Sequence, residues 1–223
     1  MRLILVRHGQ TPSNVAGALD TAFPGAGLTE LGQRQAAAVP AALADVPVAA
    51  LYASPLVRTQ LTAAPLAEAH WLTTVVRPGL EEVSAGALEM RSDEEAVHGY
   101  VDCLRAWLLG DLGRTVPGGP DGHAFLDRFD GALRSIVDEH DPAGTVVVVS
   151  HGAAIRVWTA LVTRMSHEHA TELHIANTAA AFLEGSPEAG WELTRWTGDP
   201  LGGPELLDAS AHDVTGDDVD DEA

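Results

Sequence analysis

Four consecutive valines, Val146 to Val149, follow Pro142, Gly144 and Thr145 and run directly into Ser150-His151-Gly152. A short β-branched run bounded by turn residues has the pattern of a strand buried on both faces, and such strands belong to sheets covered by helices on either side. The stretch after it, through about Val162, reads as a helix. The same alternation recurs upstream. Arg2 to Val6 reads as a strand ending in a polar cluster, and a helix follows with Thr29 as N-cap and Leu31, Ala36, Val39 and Leu43 near helical spacing; Pro40 should kink or shorten it. Val48 to Ala53 reads as a strand, Pro55 to Ala69 as a helix with proline near its first turn, and Leu72 to Val76 as a third strand. The expected fold is α/β, a mainly parallel sheet between two helical layers.

Further helices are expected over Ser92 to Leu109 and Gly122 to His140. The Gly- and Pro-rich stretch from Gly110 to Pro120 between them reads as an exposed connection that could act as a lid. Thr178 to Leu183 and Trp191 to Trp196 flank Gly185-Ser186-Pro187 and suggest an antiparallel hairpin at the sheet edge. With 223 residues and no internal repeat, one domain is expected over 1–204. Residues 205–223 contain eight acids and no lysine or arginine, so disorder is expected of this tail.

Composition removes several classes of function. The longest apolar runs, such as Ala176 to Leu183, fall far short of the roughly 20 residues of a membrane helix. Met1 to Val6 runs straight into Arg7 and His8, which does not read as a signal peptide, and a cytoplasmic protein is expected. The only cysteine, Cys103, cannot form an intrachain disulfide or a multi-thiolate zinc site and reads as a buried small hydrophobe. The formal charge is −19, which repels nucleic acid and anionic lipid at long range, and no run of arginines offers a local exception. All 13 basic residues are arginine. Without lysine there is neither Schiff-base chemistry nor a Walker A loop, so an anion site must be built from arginine or histidine.

Two strands end in histidine followed by glycine, at Val6-Arg7-His8-Gly9 and Val149-Ser150-His151-Gly152, and parallel strands of one sheet would set those ends side by side. LVRHGQTPSN at Leu5 to Asn14 resembles the signature of the histidine phosphatase superfamily, the phosphoglycerate mutase-like proteins. The resemblance continues in family order through LTELGQRQA (Leu28 to Ala36), SPLVRTQLTA (Ser54 to Ala63), LEEVSAGALE (Leu80 to Glu89) and VVVVSHGAAIR (Val146 to Arg156). It implies a three-layer α/β/α sandwich of the phosphoglycerate mutase-like kind.

The resemblance makes His8 the nucleophile that attacks phosphorus and is transiently phosphorylated. Imidazole suits this, being substantially neutral near physiological pH without an activating base, provided its other nitrogen is held, for example by a backbone carbonyl. Arg7, Arg58 and His151 match the family positions that bind the phosphoryl oxygens, and Asn14 matches a position near the phosphate. A leaving alkoxide needs a proton and the later attack needs an activated water. The family spacing of Glu, three residues and Gly assigns this acid/base role to Glu82 ahead of Gly86, with Glu81 and Glu89 as lesser alternatives. A functional Glu82 should have a pKa raised by burial. Ser166-His167-Glu168-His169 with His174 invites a metal site, but the spacing argues against one, and no metal or cofactor is expected.

Mutases of this superfamily that use bisphosphoglycerate resemble one another in an E-R-H-Y-G segment, where this chain has Glu82-Val83-Ser84-Ala85-Gly86. Those enzymes also use lysine for the substrate carboxylate. A metal-independent phosphatase acting on a small phosphorylated metabolite is therefore expected, with a phosphoglycerate mutase-type phosphotransferase or a non-catalytic phospho-ligand binder as the alternatives. Gly118-Gly119-Pro120-Asp121-Gly122 departs from a Gly-Glu-Ser-like family segment, so substrate contacts near it should differ. Val83, Ala85, Ala87, Leu88 and Met90 are open to two readings, a hydrophobic leaving-group surface or packing against the core. Neither substrate nor oligomeric state is legible.

Overall fold

The computed structural model describes residues 1–208, 211 and 213–216. Six strands, β1 (Arg2–Arg7), β2 (Val48–Ala53), β3 (Thr74–Val76), β4 (Thr145–Ser150), β5 (Ala180–Ser186) and β6 (Gly190–Trp196), form one sheet in the order β3-β2-β4-β1-β5-β6. β1, β2, β3 and β4 are parallel; β5 runs antiparallel to β1, and β6 antiparallel to β5. The valine-rich β4 lies between β2 and β1, and all six of its residues are buried.

The side chains of the central strands separate into two cores. Leu3, Leu5, Tyr52, Val146 and Val148 join one cluster, while Ile4, Val6, Leu51, Ala53, Val147 and Val149 join the other. Among the described residues the α-helices are α1 (Pro12–Val15), α2 (Glu30–Ala42), α3 (Val57–His70), α4 (Glu94–Leu108), α5 (Gly122–Asp138), α6 (Gly152–Val162) and α7 (His167–Thr171). α4, α5 and α6 supply the first cluster, whose aromatic seam runs Trp107, Phe125, Phe129, Trp158 with ring centroids 5.7, 5.6 and 6.1 Å apart. α2 and α3 supply the second. The sheet is thus enclosed between helical layers, in a three-layer α/β/α sandwich.

Element limits follow from local chemistry. Thr29 accepts the Gly32 N–H and starts α2, and Pro40 is accommodated in the last turn before the helix stops at Ala42. The next helix begins at Val57, so Pro55 lies before it and not within its first turn. Asp93 accepts the Ala96 N–H and sets the start of α4 two residues later than the sequence pattern suggests. Residues 110–120 differ from the expectation of a free lid: Val116 is buried in the core, Pro117 O accepts the Ala87 N–H, and Arg114 O accepts the Trp107 indole N–H. This connection is tied at three points.

The tail also differs in its described part. Leu206 O accepts from Gln35 Nε2, Asp208 from Gln10 Nε2, and Asp213 to Gly216 pack over the ends of β1 and β4. The expectation of disorder for residues 209, 210, 212 and 217–223 lies outside the described residues. Among the described residues, no helix is long and apolar enough to cross a membrane.

Candidate active site

β1 and β4 pair in parallel with Arg7 opposite Ser150, so His8 and His151 leave the sheet together at adjacent strand ends. Their ring centroids are 5.3 Å apart with planes at 64°. Both are buried. Backbone bonds hold the His8 turn: its N–H donates to Ser150 O, and its carbonyl accepts from Thr178 N and Asn177 Nδ2. Gly9 is required here because a Cβ would stand 2.6 Å from Gly32 O.

His8 Nδ1 lies 2.8 Å from Gly9 O. A carbonyl can only accept, so Nδ1 carries the proton and Nε2 keeps its lone pair. Burial holds the His8 pKa well below 6.5, and the Arg58 and Arg7 guanidinium groups press it in the same direction, although the bond to Gly9 opposes them. The ring is therefore neutral, with Nε2 free of the Gly9 bond. His151 is set by the opposite logic. Here Nε2 is the held nitrogen, 2.8 Å from Ser54 Oγ, which also accepts the Leu56 N–H. The Nδ1 of His151 is buried without a hydrogen-bond partner. Burial, Arg58 and His8 hold His151 neutral as well.

Arg58, on the first turn of α3, is buried and paired with Asp20. Its Nη2 donates to Asp20 O at 2.7 Å and its Nη1 stands 3.6 Å from Asp20 Oδ1, while Nε and Nη1 have no hydrogen-bond partner. Asp20 is fixed in turn by Ser13 Oγ and the Ala26 N–H, which both donate to Oδ2. Arg7 donates from Nη1 to Ile175 O and from Nη2 to Asp213 Oδ1 and Thr215 Oγ1. Asn14 serves two ends. Its Oδ1 accepts from Thr11 N and Oγ1 in the capping box of α1, and its Nδ2 donates to the same Asp213 oxygen.

Glu82 is buried with its carboxylate at the start of α6. Oε1 accepts the Val83 and Ala154 N–H groups at 2.8 and 2.7 Å, and Oε2 the Ala153 N–H at 3.2 Å. Burial raises its pKa above 4.5, against those backbone donors and the two arginines, which favour the anion. Burial favours the protonated acid and prevails over the groups that favour the anion. Glu81 is instead paired with Arg128, and Glu89 accepts from Thr21 and Ala22, so both alternatives have structural duties. Val83, Ala85 and Leu88 belong to the core, and only Ala87 and Met90 of that apolar group are exposed.

His8, Ser13, Asn14, Arg58, Glu82 and Thr215 line a cavity of about 10 Å³, room for about one water, with Asp20 on its wall. Arg7 and His151 stand behind that wall. Asp20, Ser54, Asp213 and Thr215 were not singled out by the sequence: an aspartate in a loop and a serine ending a strand carry no signal until the fold places them. His167 and His169 belong to the short α7, where His169 bonds to the capping Ser166. Among the described residues, no three His, Cys, Asp or Glu gather as a metal ion would need.

A PE-PGRS family protein of Mycobacterium tuberculosis is 38% identical over 94% of this chain, which spans only 38% of that relative's length. A probable phosphoglycerate mutase GpmB of Yersinia pestis is 28% identical over 96% of this chain and 98% of its own. Among solved structures, a mycobacterial glucosyl-3-phosphoglycerate phosphatase superposes with a TM-score of 0.75 at 25% identity, covering 89% of this chain and 99% of that one. An alpha-ribazole phosphatase of Shigella flexneri gives 0.69 at 25% identity, covering 90% and 97%. The profile of the histidine phosphatase superfamily (branch 1) matches residues 3–199, and the chain belongs to that superfamily.

Proposed function

We propose that this protein is a metal-independent phosphatase that hydrolyses a small phosphate monoester through a phosphohistidine on His8. The observation that carries the proposal is the His8 tautomer: a neutral ring with Nδ1 held by Gly9 O, lining the same small cavity as Glu82 and the unpartnered edge of Arg58. Family and fold both support a phosphatase-type hydrolase.

In the first step His8 Nε2 forms a bond to phosphorus while the ester P–O bond breaks. Protonated Glu82 gives its proton to the departing oxygen, and Arg58, His151 Nδ1 and Arg7 offset charge on the phosphoryl oxygens. In the second step the Glu82 carboxylate takes a proton from water, whose oxygen bonds to phosphorus as the N–P bond breaks. Phosphate leaves and both side chains return to their starting states.

Phosphatase is favoured over mutase by the segment after Glu82. Val83 and Ala85 are buried and Ser84 caps Gly86 N, so this segment offers no cation to a second phosphate or a carboxylate. The likeness to a probable phosphoglycerate mutase supports the second reading, phosphoryl return to substrate. Phosphate release from an aryl phosphate and a panel of sugar and glycerate phosphates, with chelator present, separates the two. Hydrolysis abolished by His8→Ala supports the phosphatase, whereas isomerised product without net phosphate supports the mutase.

A further inference from the structure

Arg7, which the proposed chemistry assigns to phosphate, and Asn14, which the family resemblance places near it, both donate to one atom, Asp213 Oδ1, at 2.6 and 2.9 Å. Thr215 Oγ1 takes another hydrogen of Arg7 Nη2, and Gly216 packs so closely that a Cβ there would overlap the guanidinium. A turn closed by Gly216 N to Asp213 O presents these groups, and Ile175 N holds the turn through Gly216 O. The segment is thus a ligand of the site, supplied by the chain itself.

Charge and space both oppose an incoming phosphate. Arg7 and Arg58 are the cations set against this cavity, and Asp213 and Asp20 already balance them in ion pairs. A phosphate dianion added to those four groups would be buried beside two carboxylates with neither arginine left unmatched. Nor is there room, since the cavity holds about one water and Thr215 forms part of its wall. Arg7 keeps only Nε without a partner, so for its Nη2 to reach phosphate the segment from Asp213 to Gly216 must withdraw.

Resting on the proposed phosphatase site, we infer that the C-terminal segment is an intramolecular competitor of phosphate, with the Asp213 carboxylate occupying a phosphoryl-oxygen position on Arg7 and Asn14. Substrate, product phosphate and orthovanadate bind only to the form in which the segment has left. The apparent KM and the inhibition constant for vanadate are both raised by the fraction of time the segment is bound. The alternative role for Asp213, positioning Arg7 for catalysis, predicts effects of opposite sign.

The test uses the full chain and its Asp213→Asn and Asp213→Ala variants. A segment bound about nine-tenths of the time predicts that either variant lowers KM for an aryl phosphate, and Ki for orthovanadate, by about ten-fold with kcat little changed. Hydrogen exchange supplies a second readout: vanadate added to wild type should speed exchange of the Ile175 and Gly216 amides. Raised KM or lowered kcat in Asp213→Asn, or protection of those amides by vanadate, would overturn the inference and leave the phosphatase intact. Calorimetry with inorganic phosphate keeps the two failures apart. No binding to wild type or to either variant would overturn both, whereas tighter binding to Asp213→Asn without turnover would sustain the competitor and remove the phosphatase.

Discussion

Ser54 Oγ stands 2.8 Å from His151 Nε2 and accepts the Leu56 N–H, so the end of β2 holds the ring of a histidine at the end of β4 and leaves its Nδ1 as the unpartnered edge. Ser54→Ala frees the ring to take the other tautomer or flip. We expect kcat to fall by about ten- to a hundred-fold, as for loss of an aligned donor. The buried groups left unpaired should cost about 1–3 kcal/mol of stability. Unchanged kcat in a folded Ser54→Ala protein would remove His151 Nδ1 from the phosphate site.

Arg58 depends on Asp20 in a similar way. Arg58→Ala should lower kcat/KM by at least about a hundred-fold, and Arg58→Lys should recover little, because an ammonium cannot bond Asp20 and two phosphoryl oxygens in one plane. Asp20→Asn keeps the shape of the Asp20 side chain and loses its charge. Its effect should fall mainly on kcat, through a misaligned guanidinium, and steady-state kinetics with one aryl phosphate will show whether KM moves instead.

The proposed first step uses Glu82 in its protonated form, and burial raises its pKa from 4.5. The rate should therefore decline on the alkaline side as the carboxyl loses its proton, while His8, held low, stays neutral well below pH 6.5. Glu82→Gln should remove the alkaline limb. It should also slow alkyl phosphates far more than p-nitrophenyl phosphate, whose leaving group needs no proton. Equal loss for both esters would contradict the acid role.

The same burial has a stability signature. His8 and His151 have folded pKa values depressed well below 6.5, so below pH 6.5 the unfolded chain takes up protons that the folded chain refuses. Their contribution is complete above pH 6.5 and is lost as pH falls toward the folded values, at about 1.4 kcal/mol per histidine per pH unit. Glu82 works in the opposite sense, its stabilisation being complete below 4.5 and lost as pH rises through its raised folded value. Urea midpoints between pH 7.5 and 5.5 should fall more steeply for wild type than for His8→Asn/His151→Asn.

Much of this architecture is written in local sequence. The valines of β4 and the run from Arg2 are apolar without alternation, as strands buried on both faces must be, and the paired His-Gly endings mark where the site lies. Residues from four of the five family segments, His8, Asn14, Arg58, Glu82 and His151, lie close together in the structure. The partners that set their state were hidden because they come from loops with no periodicity: Asp20 reaches Arg58 across 38 residues, and Asp213 reaches Arg7 across 206. The described part of the tail differs from expectation for a physical reason. Eight acids without a base predict repulsion and disorder, but Asp213 finds a buried arginine whose field reverses that preference.

The most direct test of the account is to trap the intermediate. Rapid quench of the enzyme with a phosphorus-labelled aryl phosphate in the presence of chelator should yield an acid-labile, alkali-stable phosphoryl group on the His8 peptide, formed and lost at rates compatible with turnover and absent from His8→Ala. Label on a serine, aspartate or another histidine, or full activity in His8→Ala, would contradict it.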